Sequence, residues 1–138
     1  MARPESIHRA WYETDYRVRL PTGGYASIRC DQPLPHVLLA WLPAADTPWG
    51  YLTAWNPAGV SLPRAANRQR LRRMRDELKA SGWRYSLGVG VGTTGWQEVS
   101  LFVIGMSYTQ LDALAHHFGQ SGLIRGIGAS PTELHDLI

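Results

Sequence analysis

Apolar positions alternate with polar or small ones along some stretches of the chain and recur every three or four residues along others, and this contrast predicts most of its elements. Trp83, Tyr85, Leu87, Val89 and Val91 alternate with small or polar residues, which predicts a strand over 83–91. A turn at Gly92–Gly95 returns the chain as an antiparallel strand over Gln97–Ile104. Leu71, Met74 and Leu78 share one face of a helix predicted from Ala65 to Ser81, with Gly82 in the favoured place beyond its end. Leu111, Leu114, Ala115 and Phe118 form the apolar face of a second helix. Ser107 caps it, Gln110 completes a capping box, and Gly119 stops it. The apolar run Trp49–Trp55 reads as a buried strand that stops abruptly at Asn56-Pro57, and Gly122–Gly128 reads as a last strand.

The flanks are less regular. Residues up to about Trp11 read as loosely structured, Trp11–Val18 as an edge strand, and Tyr25–Cys30 as its hairpin partner across Pro21-Thr22-Gly23-Gly24. Pro35–Leu42 reads as a short helix closed by Pro43, and Ser130-Pro131-Thr132-Glu133 as the capped start of a C-terminal helix. The order from Trp49 onward is strand, helix, strand, strand, helix, strand. This predicts an α+β chain with a ferredoxin-like (βαββαβ) antiparallel sheet core. We expect one domain over 1–138: an N-terminal β-hairpin and short helix at 12–48, the core at 49–128, and a short C-terminal helix at 130–138.

Composition narrows the classes. A chain of 138 residues, 44% hydrophobic and 18% charged, fits one core. Its longest apolar runs, such as Val37–Leu42, are too short to span a bilayer, so no membrane partner is expected. Met1–Ser6 carries no leader pattern, and cytoplasmic localisation is the expectation. Cys30 stands alone, which excludes an intrachain disulfide and a cysteine metal site and reads as a small core residue. The net charge is +3, with thirteen arginines and one lysine. Such a bias argues for nucleic acid only where the charges cluster.

Thr53-Ala54-Trp55-Asn56-Pro57, then Asn67 with the Leu71 and Leu78 helix, then Trp96-Gln97-Glu98-Val99-Ser100, then Phe118-Gly119-Gln120, is a combination specific in order and spacing. It resembles a bacterial family of small proteins known only as domain-of-unknown-function family 3293, over roughly Tyr12 to Leu134. That family name carries no activity. The resemblance implies that Asn56, Asn67, Glu98, Ser100 and Gln120 belong to a shared pattern.

Glu98 and Ser100 lie two apart on one strand and so point to one sheet face, where a carboxylate is costly unless it is paired or hydrogen-bonded. Two readings follow. In one, Glu98 pairs with Arg70 or Arg84 while the amides cap loops. In the other, Glu98 sits in a pocket for a small polar or nucleotide-like ligand near the end of the 49–55 strand, as hydrogen-bond acceptor or general base. Asn56, Asn67, Ser100 and Gln120 then orient the ligand, and Trp55 or Trp96 covers it. Asn67, one turn before the apolar stripe of its helix, is a cap or a ligand contact. The chain shows no Ser/His/Asp set in motif context, so no catalytic activity and no cofactor is assigned. Gly88-Val89-Gly90-Val91-Gly92 precedes a strand and is no phosphate loop. His116 and His117 diverge by about 100° on a helix, and no metal site is expected. The main rival is a nucleic-acid-binding module using the stripe Arg68, Arg72, Arg75 and Lys79. A non-catalytic protein-interaction or homodimer module is a third class.

Overall fold

The computed structural model describes residues 5–137; Met1–Pro4, read above for a leader, and Ile138 lie outside the described residues. The order is α1 (Glu5–Tyr12), β1 (Asp15–Arg19), β2 (Tyr25–Ile28), α2 (His36–Leu39), β3 (Pro48–Leu52), α3 (Arg64–Ala80), β4 (Arg84–Val91), β5 (Gln97–Ile104), α4 (Tyr108–His117), β6 (Gly122–Ile127) and β7 (Glu133–Asp136). The strands form one antiparallel sheet in the order β2-β1-β4-β5-β3-β6-β7. The chain is therefore α+β.

Alternation along β3 and β5 divides the core between the two faces of this sheet. Leu101 and Val103 of β5 join Leu71, Met74 and Leu78 of α3 and Leu111 and Ala115 of α4 in one cluster. Gly50 lets α4 settle there, because a Cβ on it would come 2.5 Å from the Leu111 side chain. Phe102 and Ile104 face the other way and pack with Trp49, Tyr51, Tyr16, Ile28 and Leu38, so β1, β2 and α2 cover the opposite face. The second helix begins as its sequence suggests: Ser107 Oγ accepts from Gln110 N, and the Gln110 side chain accepts from Ser107 N.

Three expectations are corrected. The N-terminal stretch forms α1, and it holds Trp11 and Tyr12 in the helix; the expected strand starts only at Asp15. Packing against β6 overrides the β propensity of these aromatics, since Trp11 lies where a Cβ on Gly122 would be 2.8 Å from its ring. β1 is not an edge, because it pairs with β2 on one side and β4 on the other. Finally, residues 133–136 form β7 rather than a C-terminal helix. Thr132 N and Oγ1 both donate to Gln32 O, and its carbonyl accepts from Asp31 N, so a distant loop draws the segment out along the free edge of β6. No helix among the described residues is long and apolar enough to cross a membrane.

Candidate functional site

β3 ends at Leu52, three residues before the apolar run does, because a side chain takes over from the ladder. Thr53 Oγ1 donates to Val99 O at 2.6 Å and accepts from Trp55 N at 3.0 Å. Asn56 then adopts left-handed backbone (φ 48°, ψ 61°), tolerable for Asn, and Pro57–Gly59 makes a single 3₁₀ turn. The Asn56 side chain is held through both of its polar atoms. Its Oδ1 accepts from Asn67 Nδ2 (2.8 Å) and Leu62 N (3.0 Å), and its Nδ2 donates to Glu98 Oε2 at 2.8 Å. Asn67 Oδ1 in turn accepts from Asn56 N at 2.9 Å.

The Phe118-Gly119-Gln120 segment locks the same turn from the other side. Gln120 Nε2 donates to Trp55 O at 3.0 Å, and Ala58 N donates to Gly119 O at 2.8 Å. Arg70 ties the two segments together by donating to Ala54 O and Phe118 O. Residues far apart in sequence thus meet as one hydrogen-bonded cluster around Trp55-Asn56-Pro57.

Glu98 stands at the edge of this cluster, on the β5 face that also carries Ser100. Its neighbours across the ladder are glycines, with Gly90 opposite Glu98 and Gly88 opposite Ser100. Burial pushes the Glu98 carboxyl above its ordinary range, and the hydrogen bond from Asn56 pulls it partly back. The alternative of an arginine pair is corrected: Arg70 holds backbone carbonyls, and Arg84 donates to Trp41 O at 3.2 Å. Among the described residues, the bond from Asn56 is the one that reaches this carboxyl.

A cavity of about 630 Å³ opens beside Glu98, on the sheet face opposite α3 and α4. Glycines at alternate positions of β4 keep that face low, and Gly90 and Gly92 line the space they leave. Trp11 of α1 and Tyr16 of β1 wall one side, Tyr51 lies within, and Trp96 stands at the rim, 40% exposed. Among the described residues, no Lys, Arg or His lines the cavity. Burial raises the Tyr16 and Tyr51 phenols far above neutrality, so both stay protonated. Their protons are engaged, Tyr16 donating to Trp11 O and Tyr51 to Arg17 O, while Thr14 donates to Ala10 O and Ser100 to Glu98 O. These four groups therefore offer a ligand acceptors beside the Glu98 carboxyl, while the hydroxyls of Ser61, Thr93 and Thr94 line the cavity as well.

Of the residues singled out in the sequence, Asn56, Glu98, Ser100, Gln120 and Trp96 line this cavity. Asn67 is buried behind Asn56, and its side chain is taken up by Asn56 and Leu62. Trp55 turns the opposite way, into a separate recess with Arg64, Arg68, Arg72 and Arg75, whereas Lys79 lines neither. Sequence reasoning missed Trp11, Thr14, Tyr16 and Tyr51. The signal that could have found the cavity is the glycine period of two at 88, 90 and 92, of which Gly90 and Gly92 leave the sheet face empty beside Glu98. Among the described residues, no group of three or more His, Cys, Asp or Glu side chains is placed to hold a metal ion. His117 instead contacts Glu77 at 3.0 Å on the surface.

Neither the curated proteins nor the solved structures give a match to this chain. A family model does: residues 52–123, more than half of the chain, match the one described as Protein of unknown function (DUF3293). The matched span runs from the end of β3 into β6 and contains Asn56, Asn67, Arg70, Glu98, Ser100 and Gln120, the whole cluster around the Trp55–Pro57 turn. On that match the chain belongs to the DUF3293 family.

Proposed function

We propose that the protein binds a small polar ligand in the Glu98 cavity, a ligand that donates hydrogen bonds and is neutral or positively charged. One observation carries this reading: a half-buried carboxyl, held among the described residues by a single hydrogen bond, faces a cavity of about 630 Å³ whose described lining holds no cationic side chain. That volume lies within the range of small-molecule sites. The lining favours amines, amides or amino-substituted rings, which bring protons to Glu98 and Gln120 and lay a flat face against Trp11 or Trp96. A free phosphate group would meet the Glu98 carboxyl there and, among the described residues, no cationic side chain. The raised Glu98 carboxyl is also suited to exchanging a proton with a bound ligand, the property a general acid or base needs.

The strand order β4-β5-β3-β6, with α3 and α4 on one face, supports a ferredoxin-like reading of residues 49–128, the N-terminal elements extending and covering it. A reducing, cytoplasmic setting suits Cys30, whose thiol is buried and pushed up to about 11. The protein-interaction reading rests on surface features with no comparable enclosed polar group.

A thermal-shift screen of amines, nucleosides and amino-heterocycles tests the proposal. A compound that stabilises the wild type, and does so at least tenfold less well in Glu98→Gln, supports it. Failure of every donor-bearing class, or a hit that binds Glu98→Gln equally well, removes it.

A further inference from the structure

The sheet face opposite the cavity carries a second recess, of about 460 Å³, between α3 and the strands β4 and β5. β5 divides the two: Glu98 and Ser100 face the cavity, whereas Gln97 and Val99 face the recess. Arg64, Arg68, Arg72 and Arg75 follow one another at four, four and three residues, so they share one flank of α3 and wall the recess on that side. Trp55 faces them from the turn after β3.

This is a charged and ordered surface. Like charges three and four apart on a helix repel, and among the described residues none of these four arginines is paired with a carboxylate. Arg75 is steadied by Tyr85, donating to its hydroxyl at 3.3 Å, and the other three guanidinium groups carry no hydrogen bond among the described residues. The flank is nonetheless held in place, since Leu71, Met74 and Leu78 anchor α3 to the sheet. Trp55 is fixed through its backbone: its N–H donates to Thr53 Oγ1 and its carbonyl accepts from Gln120. Its indole Nε1 is buried without a partner, so no hydrogen bond ties the ring itself.

We propose that this recess is a second binding site, for a phosphate ester carrying a flat ring, the nucleoside phosphate unit. The arginines bind phosphate oxygens through paired N–H donors, and Trp55 takes the base against its face. The site is independent of the Glu98 cavity and opposite to it in charge. A free nucleotide and a segment of single-stranded nucleic acid share this chemistry. The arginine row, about 16 Å from Arg64 to Arg75 at the helical rise, accommodates more than one phosphate.

The full chain is titrated with adenosine, with AMP and with a fluorescein-labelled single-stranded ten-residue deoxythymidine oligonucleotide, at low and moderate salt. We expect AMP or the oligonucleotide to bind and adenosine to bind at least tenfold more weakly. Arg68→Ala combined with Arg72→Ala, both exposed and so neutral to folding, weakens the phosphate-bearing probe at least tenfold. For the oligonucleotide the double variant also flattens the salt dependence by roughly 0.7 log units per lost phosphate contact. Trp55→Leu weakens binding at every salt concentration and leaves that slope unchanged. Binding of AMP alone assigns the free nucleotide as the source, and binding of the oligonucleotide alone assigns the strand. The proposal is overturned if neither phosphate-bearing probe binds the wild type below about 1 mM, if adenosine binds as well as AMP, or if the arginine double variant binds like the wild type.

Discussion

Asn56 Nδ2 donates to Glu98 Oε2 across 2.8 Å, while the Oδ1 of the same amide accepts from Asn67 and from the backbone of Leu62. One side chain thus serves both the turn and the carboxyl. Asn56→Ala strands buried Asn67 and leaves an alanine in the left-handed conformation without the side-chain hydrogen bonds that hold Asn56 there. The expected cost is about 2–3 kcal/mol in urea denaturation. Asn56→Gly, which relieves the backbone, should recover only a minor part of it; full recovery would show that the hydrogen bonds contribute little.

Glu98 sets a pH dependence. Its carboxyl titrates above its ordinary range in the fold, so between the two values the unfolded chain ionises while the folded chain keeps its proton. Over that window stability falls as pH rises, and above it the full cost of ionising Glu98 persists. Below the ordinary value both states are protonated and the cost vanishes. Glu98→Gln, which still offers Asn56 an acceptor, should therefore be more stable than wild type at neutral pH and equal to it near pH 4. Melting curves of the two proteins across that range check this. A gap that widens on acidification would contradict it.

Two neighbouring glycines should respond in opposite ways. A Cβ on Gly88 would lie 2.1 Å from Arg17 O and press on the Tyr51 hydroxyl, so Gly88→Ala must separate β1 from β4, at about 3 kcal/mol or more. A Cβ on Gly90 would meet nothing closer than 3.7 Å, and Gly90→Ala should stay within about 1 kcal/mol of wild type. Equilibrium unfolding of the pair decides whether the low sheet face is required by strand packing at one position and left free at the other.

Gly119 combines a positive φ of 70° with a Cβ site 2.9 Å from the Pro57 side chain. Gly119→Ala is expected to cost about 2 kcal/mol, because backbone strain and the clash both fall on the turn that carries Asn56. Hydrogen exchange should locate the loss at the amides of Ala58, whose partner is Gly119 O, and Leu62, whose partner is Asn56.

How much of this was readable in the sequence depends on how local each cause is. β5 spans the Gln97–Ile104 expected of it, β4 starts one residue after the alternation that predicts it, α3 differs from its expected span by one residue at each end, and the α4 capping box forms as its spacing suggests. Each of these signals acts within a few residues. α1 and β7 escaped because their causes are distant, Trp11 resting on β6 and Thr132 bonding to Gln32. The same holds at the candidate site. Asn56, Glu98, Ser100 and Gln120 stand out as polar residues at element ends or on an apolar face. Tyr16 and Tyr51 look like ordinary core aromatics, and it takes the register that sets Gly90 against Glu98, added to the glycine period, to place a void before them.

The engaged hydroxyls of Thr14, Tyr16, Tyr51, Thr53 and Ser100 have a kinetic corollary. Each already points its proton at a backbone carbonyl, so these five rotors need no freezing when a guest arrives. Such preorganisation lowers the entropic toll of association and leaves residence time to the contacts themselves. Among compounds of similar size, those that occupy the chamber longest should be the ones whose N–H groups match its fixed lone pairs, with little adjustment of the protein around them.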